Sequence, residues 1–290
     1  MKIGIGLPNS VRGTTGDVIV EWARRAEASG FSSLATIGRV AFPAYSELTV
    51  LSAAAAVTER IGLMTDILLG PIYDPVLLAR DLASLDQLSG GRFVLGAAAG
   101  ARQDDFSVAR QDYSTRGRRW DESLELMHRI WRGEPPPGAD QPVGPRPTNG
   151  EGVPMLIGGM ADATLRRIVR WGIGWTVGGA SADMIPPFAE RVRAAWKEGG
   201  REGEPRIVAL LYFALGPDAE EEARKSLGDY YAYLGAYAEK IVAGAAKTPE
   251  AAKTAAKRFE EAGVDELIYF PGIARVDQVD LLAEAVTPGQ

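Results

Sequence analysis

Cysteine is absent from the 290-residue sequence, and histidine occurs once, at His128. These absences exclude disulfides, thiolate nucleophiles, iron–sulfur clusters and histidine-rich metal sites, so we predict no metal site. Basic residues are outnumbered by acidic ones, 32 to 38, and the net charge of −6 offers no electrostatic footprint for nucleic acid or anionic lipid. Apolar runs stay below the roughly 18 residues of a membrane span, and no signal peptide is evident at the N-terminus. We therefore expect a cytoplasmic protein without nucleic-acid or membrane partners.

Apolar and β-branched runs recur along the chain, and a helical pattern follows each of them. The predicted strands span Ile3–Leu7, Ser33–Ile37, Ile61–Leu69, Phe93–Ala98, Met155–Ile157, Trp175–Val177, Ile207–Leu215 and Glu266–Phe270. The helical patterns begin near Asp17, Glu47, Pro75, Thr115, Ala161, Ser181, Ala219 and Val276. Eight strand–helix units predict one α/β domain over residues 1–290, an eight-stranded parallel (β/α) barrel (TIM barrel). An open doubly wound sheet is the alternative, and it normally has fewer strands.

Two segments stand out from this pattern. Gly133–Gly152 is dominated by proline and glycine, and a connection of that length without helix or strand signals is typical of a lid or of a disordered excursion. A helical stripe of aromatic and aliphatic residues comprises Tyr230, Tyr233, Leu234, Tyr237 and Ile241. Such a stripe is more typical of a core or a subunit interface than of a ligand platform, which leaves a homodimer open.

The predicted strand ends hold few titratable groups. In barrels of this class the reacting groups lie on the loops after the carboxyl ends of the strands. Here those ends are rich in glycine and alanine and show no Ser/His/Asp set, and His128 falls within a helix. A rim of small residues suits a large planar ligand that brings its own chemistry. Arg39 and Asp66 are the charged candidates, and Trp175 is either a further rim residue or part of the packing.

The segment from Ile157 to Ala161 carries a more specific signal. A strand ends in Gly158 and Gly159, and a helix begins directly after Met160 and Ala161. Glycine lets the backbone approach a ligand closely, and the free N–H groups of a helix N-terminus attract an anion. The segment is therefore either a phosphate-binding turn or a structural tight turn.

Several sequence blocks resemble the bacterial luciferase-like monooxygenase superfamily. The segment Leu85–Gly96, which contains Ser-Gly-Gly-Arg-Phe, is similar to the signature of that family. Further similar blocks follow the family order and spacing, and these are Thr58–Leu63, Asp74–Ala79, Thr115–Glu122, Pro154–Gly159 and Gly174–Trp175. The resemblance extends from Ile3 to about Gly179.

The resemblance implies a barrel that binds reduced FMN or its deazaflavin analogue, F-420, at the carboxyl-end rim. It also implies a bulge in the third strand with a non-proline cis peptide that backs the central ring of the cofactor, and on this sequence that bond falls between Thr65 and Asp66. The family positions that lie along the cofactor match Ala98, Ala99 and Gly100. Those of its phosphate-binding turn match Gly158, Gly159, Met160 and Ala161.

The sequence departs from the family pattern at the two charged rim positions. Many deazaflavin-dependent members have an Asp-His pair after the second strand, where this chain has Gly38 and Arg39. Arg39 cannot release its proton at neutral pH, so its role is either to hold an anion or to form a salt bridge at the barrel mouth. Asp66 stands where the family has a small or apolar residue, and a buried carboxylate is costly unless it is hydrogen-bonded. We expect its partner to be a cofactor ring N–H, a bound hydroxyl or the neighbouring backbone.

The favoured function is a luciferase-like monooxygenase that uses reduced FMN or a deazaflavin on a small organic substrate. A deazaflavin-dependent hydride-transfer reductase or dehydrogenase is one alternative, and a cofactor-binding barrel without turnover is another. An unrelated barrel hydrolase or aldolase is disfavoured, because the strand ends offer neither a nucleophile–base set nor a Schiff-base lysine.

Overall fold

The computed structural model describes residues 1–286, which form a closed barrel of eight parallel strands surrounded by helices. The strands are β1 (Lys2–Gly6), β2 (Ser33–Thr36), β3 (Gly62–Leu69), β4 (Phe93–Ala98), β5 (Met155–Gly158), β6 (Gly174–Val177), β7 (Arg206–Phe213) and β8 (Glu266–Pro271). The helices are α1 (Gly16–Ala28), α2 (Glu47–Ala55), α3 (Pro75–Leu88), α4 (Gln103–Val108), α5 (Arg116–Trp131), α6 (Asp162–Trp171), α7 (Ile185–Glu198), α8 (Ala219–Tyr230), α9 (Tyr237–Gly244), α10 (Pro249–Glu261) and α11 (Asp277–Val286). The predicted eight-stranded barrel is confirmed.

Each strand buries both of its faces, which explains the nearly continuous apolar runs in the sequence. In β2, Leu34 packs outward in the layer between strands and helices, whereas Ala35 packs inward with Met64 and Ile268. Because successive strand residues point to opposite faces, a barrel covered by helices requires apolar residues at both sets of positions. Within residues 1–286, no helix is both long enough and apolar enough to cross a membrane.

A bulge interrupts the pairing of β3 with β4. Thr65 pairs with Leu95 and Leu68 pairs with Ala97, so two residues of β3 lie opposite Gly96 alone. The predicted cis peptide is present, but it joins Asp66 to Ile67 and not Thr65 to Asp66. The ladder stays regular through Thr65, whose hydroxyl donates to the Gly96 carbonyl at 2.8 Å, and the irregular step therefore begins one residue later than expected. A side chain at position 96 would overlap the Thr65 carbonyl, which explains the glycine there.

The prediction that Gly133–Gly152 forms a lid is wrong. This segment connects the end of α5 to the start of β5, so it lies at the amino ends of the strands, opposite the rim where ligands bind in such barrels. It is also fastened: the Thr148 backbone N–H and hydroxyl both donate to Asp86 Oδ2, at 2.7 and 2.8 Å, and Gln87 Nε2 donates to the Arg146 carbonyl at 2.8 Å.

Replacing Asp86 by alanine should loosen this segment. The Asp86 side chain is buried, with 1% of the residue exposed, and its loss leaves two Thr148 donors without an acceptor. We expect the free energy of unfolding to fall by about 1–3 kcal/mol and a glutamate-specific protease to cleave after the exposed Glu151 faster. Denaturant unfolding and timed proteolysis measure both effects, with Asp81→Ala on the exposed face of the same helix as the control. Equal cleavage rates in the two variants would contradict the fastening role.

The periodicity of the aromatic stripe predicted a single helix, and this prediction is wrong. Tyr230 ends α8, Tyr233 and Leu234 belong to a separate 3-10 turn, and Tyr237 and Ile241 lie on α9. Gly235 breaks the helix, since its φ of +55° lies in the left-handed region that favours glycine. The sequence pattern also missed α4, α9 and α10. We call residues 230–244 the aromatic segment, and it follows β7 at the carboxyl-end rim.

Candidate functional site

A cavity of about 440 Å³ opens at the carboxyl ends of the strands. One wall is built by the rim of β2 to β6, including Arg39, Asp66, Gly100 and the turn of Gly158, Gly159 and Met160. The aromatic segment forms the other wall, with Tyr230, Tyr231, Tyr233, Leu234, Tyr237 and Ile241. The volume falls within the usual range for small-molecule sites, and the rim position agrees with where such barrels bind their ligands.

Asp66 reaches the cavity from the bulge of β3. The residue is 2% exposed, and its Oδ1 accepts a hydrogen bond of 2.5 Å from the Thr176 hydroxyl on β6. Its Oδ2 is buried and has no hydrogen-bond partner among residues 1–286. Burial raises the pKa of the Asp66 carboxyl to about 7, and the bond from Thr176 acts in the opposite direction. The Asp66 carboxyl therefore holds its proton to a much higher pH than an ordinary carboxyl does, and it has one oxygen free for a ligand.

The hydrogen-bond partner of Asp66 within the protein is not the one that the sequence suggested. The sequence suggested neighbouring backbone N–H groups, whereas the structure provides the side-chain hydroxyl of Thr176, 110 residues away. The sequence offered no sign of Thr176 beyond its place in β6, because the contact spans the barrel.

Arg39 faces the same cavity, but most of its hydrogen-bond donors are used within the protein. Its side chain is 7% exposed, and its Nη1 and Nη2 donate to the carbonyls of Tyr230 at 2.6 Å and Ala41 at 3.0 Å. The guanidinium also lies 5.1 Å from the centre of the Tyr230 ring and 3.5 Å from Asp104. Its Nε has no partner among the described residues. Arg39 therefore joins the end of β2 to the aromatic segment, and the structure shows no ion pair between it and Asp66.

The turn after β5 combines a glycine in the left-handed region with a helix N-terminus that has no side-chain cap. Gly159 has a φ of +108°, and α6 begins at Asp162 with an N-cap residue, Ala161, that offers no side-chain hydrogen bond to the first turn. The free N–H groups at this end of the helix are thus open to a ligand. The indole Nε1 of Trp175, a fully buried residue, donates to the Gly159 carbonyl at 2.8 Å and holds the turn from behind.

The predicted cofactor-binding residues divide into two groups. Those on the cavity wall are Asp66, Gly100, Gly158, Gly159 and Met160. Those behind it or beside it are Thr65, Ala98, Ala99, Ala161 and Trp175. Ala98 nevertheless backs the turn, since its Cβ lies 3.2 Å from the position that a Cβ on Gly158 would take.

A buried carboxylate that the sequence analysis did not single out lies behind Gly38. Any side chain at Gly38 would overlap the carboxylate of Glu47, the first residue of α2. Burial raises the pKa of Glu47 to about 7, and the nearby charge of Asp105 acts in the same direction. The glycine at position 38 therefore makes room for an acid from the next helix, and the spacing of the two residues in the sequence gave no signal of this contact.

The sequence pattern that defines luciferase-like monooxygenases matches residues 1–280. The chain belongs to the luciferase-like monooxygenase family. Its eight-stranded barrel, its bulge in β3 and its rim cavity are features expected of a luciferase-like oxidoreductase.

Relatives of the chain include characterised and uncharacterised proteins. It is 31% identical over 224 residues to an uncharacterized protein of Mycobacterium tuberculosis, which covers 67% of this chain and 77% of that protein. It is 26% identical over 225 residues to the FMNH2-dependent dimethylsulfone monooxygenase of Pseudomonas putida, covering 72% and 61% of the two chains. Among solved structures, an F420-dependent secondary alcohol dehydrogenase with an F420–acetone adduct superposes with a TM-score of 0.80 at 19% identity, covering 98% of both chains. One relative of this luciferase-like chain is thus named as FMNH2-dependent, and one protein with the same fold is named as F420-dependent.

Proposed function

We propose that this chain is an oxidoreductase that binds reduced FMN or F-420 in the rim cavity and oxygenates a small organic substrate there. The observation that carries the proposal is the rim cavity itself, walled by the bulged β3 on one side and the Gly158–Gly159 turn on another. Membership of the luciferase-like family and the FMNH2-dependent relative support the monooxygenase class.

The residues present fit a flavin or deazaflavin. The Gly158–Gly159 turn and the uncapped end of α6 would hold the phosphate, and the bulge at Asp66 and Ile67 would lie against the ring system. Gly100 would border the cofactor, with Ala98 and Ala99 behind it. The unpartnered Oδ2 of Asp66 is the group that such a ring, or the substrate, would satisfy. When bound, the cofactor supplies the redox chemistry, which none of these side chains can perform alone.

The side chains of this chain would then position the reactants and exclude water. Asp66 would hold or release a proton at its Oδ2, because its pKa of about 7 permits both states near neutral pH. Arg39 would hold the aromatic segment over the cavity through the Tyr230 carbonyl. A wall of tyrosine and aliphatic side chains keeps the reacting centre away from bulk water.

Hydride transfer with F-420 is the second candidate function. The close superposition on an F420-dependent dehydrogenase favours it. The presence of Gly38 and Arg39 where many deazaflavin-dependent members have an Asp-His pair favours FMN instead, and this is why we place the monooxygenase first.

Titration of the purified protein with FMN and with F-420, each oxidised and reduced, tests this function by absorbance and fluorescence. We expect tight binding of reduced FMN, and dioxygen consumption by the reduced complex in an oxygen electrode. Binding of F-420 alone, without dioxygen consumption, would replace the monooxygenase by the hydride-transfer enzyme. Failure of both cofactors to bind would refute the proposed function.

A further inference from the structure

A second cavity, of about 320 Å³, adjoins the rim cavity. The residues that line both are Gly179, Ala180, Met184, Leu210, Tyr237 and Ile241. Beyond this shared wall the second cavity extends between the aromatic segment and α10, where Leu211, Ala245, Ala255 and Phe259 supply apolar surface. Its cations are Lys240 and Arg258, and Arg258 forms an ion pair with Asp183. A chamber with mainly apolar walls and two cations thus opens beside the place where the cofactor would bind.

A pair of tyrosines stands between the two cavities. Tyr212, on β7, lines the second cavity, and Tyr231, in the aromatic segment, lines the first. Their hydroxyl oxygens are 2.6 Å apart. Two hydroxyls carry two protons, and one hydrogen bond between them uses only one. Neither hydroxyl has another partner within residues 1–286, so one phenolic proton is left without an acceptor in the protein.

This remaining proton is available as a donor at any physiological pH. Burial raises the pKa of Tyr231 to about 12 and that of Tyr212 well above its ordinary value. Both phenols are therefore neutral near pH 7. A buried donor without an acceptor is unfavourable, and an oxygen atom of a ligand at the junction would remove that penalty.

We propose that the second cavity holds the apolar body of the substrate and that the Tyr212–Tyr231 pair donates a hydrogen bond to its carbonyl oxygen. The substrate class is an uncharged apolar ketone or aldehyde. A carbonyl oxygen accepts hydrogen bonds and brings no proton of its own, which matches the single unpaired donor. The substrate carbonyl then lies at the boundary between the apolar chamber and the cofactor side of the site. This inference rests on the proposed function, because it assumes that the rim cavity holds the cofactor.

Binding of acetophenone and of ethylbenzene tests the pair directly. The two probes have nearly the same size and shape and differ in the carbonyl oxygen. Either phenol can supply the free proton, so both hydroxyls are removed together. We expect the double variant Tyr212→Phe/Tyr231→Phe to weaken acetophenone binding about tenfold while ethylbenzene binding stays unchanged. Tyr45→Phe, which removes a hydroxyl bonded to the Thr14 carbonyl outside both cavities, should leave both affinities unchanged.

Two further measurements distinguish direct contact from a structural effect. The carbonyl stretch of 13C-labelled acetophenone should lie at lower frequency when bound to the wild type than when bound to Tyr212→Phe/Tyr231→Phe, because the hydrogen bond weakens the C=O bond. Ala255→Phe, which fills the second cavity from the side of α10, should weaken both probes. Equal acetophenone affinity and carbonyl frequency in the wild type and the double variant would overturn the proposal, as would unchanged binding in Ala255→Phe. The probes are titrated without cofactor, and FMN and F-420 are titrated separately, so failure of cofactor binding is seen independently.

Discussion

Gly159→Val should lower the affinity for FMN or F-420, whichever binds, about a hundredfold. A β-branched residue is strained at a φ of +108°, and its Cβ would come within 3.0 Å of Thr164 Oγ1. The turn must then rearrange, and the N–H groups at the start of α6 would no longer face the phosphate that we propose binds there. The loss of two hydrogen bonds to a charged group, each worth about 1.5 kcal/mol, corresponds to this factor.

Gly200→Val is the matched control for backbone strain. Gly200 has a φ of +67° and no atoms near the position of a Cβ, and it lies between α7 and β7, at the end of the barrel opposite the rim cavity. Both variants should lose comparable stability in thermal unfolding, but only Gly159→Val should lose cofactor affinity in the absorbance titration. Gly158→Val should also weaken binding, since its Cβ would crowd Ala98 and Ile67. Wild-type affinity in a folded Gly159→Val protein would place the phosphate elsewhere.

Asp66→Asn should change how stability depends on pH. The folded pKa of Asp66, about 7, lies above the ordinary value of 3.8, so the folded state binds this proton more tightly than the unfolded state. The stability that the proton contributes is complete below pH 4 and is lost as pH rises through 7. A difference of about three pKa units corresponds to a loss on the order of 4 kcal/mol in the wild type, and the variant lacks this loss.

The difference in stability between the two proteins should therefore reverse its sign with pH. At pH 5 the variant should be less stable by about 1–3 kcal/mol, because its amide buries two N–H donors without an acceptor, whereas the protonated carboxyl buries one O–H donor. At pH 8 it should be the more stable protein, since it no longer buries an ionised carboxylate. Urea unfolding at both pH values measures this. Asp81→Asn, at an exposed site, should parallel the wild type, and parallel curves for Asp66→Asn would show that Asp66 has an ordinary pKa.

The alternation of strands and helices could be predicted from the sequence because it depends on local patterns. Every strand of the barrel overlaps its predicted range, since burial on both faces demands long apolar runs such as Ile207–Leu215. The location of Gly133–Gly152 could also have been predicted, because a connection that follows a helix and precedes a strand must lie at the amino end of the barrel. Composition suggested a lid, and topology excludes it.

The side-chain contacts within the site could not be predicted from the sequence in the same way. Thr176 and Glu47 reach Asp66 and Gly38 only through the closed barrel and the packing of α2. The aromatic stripe has helical spacing, but Gly235 turns the chain and directs its two halves to the cavity wall. Periodicity indicates which residues share a face and does not indicate whether that face meets a core, another subunit or a ligand.

The two walls of the rim cavity come from separate stretches of the chain, and this separation bears on how the protein can evolve. The wall that would hold the cofactor comes from β2 to β6, whereas the aromatic segment comes from the connection after β7. Arg39 is one polar link between them, and it bonds to a backbone carbonyl of Tyr230, which every residue type possesses. Arg102 is a second contact, with its guanidinium 3.4 Å from the centre of the Tyr233 ring. Mutations elsewhere in the aromatic segment would leave both contacts and the glycine turn intact. Under the proposed function, lineages with this architecture would be free to change their substrates while they keep the same cofactor.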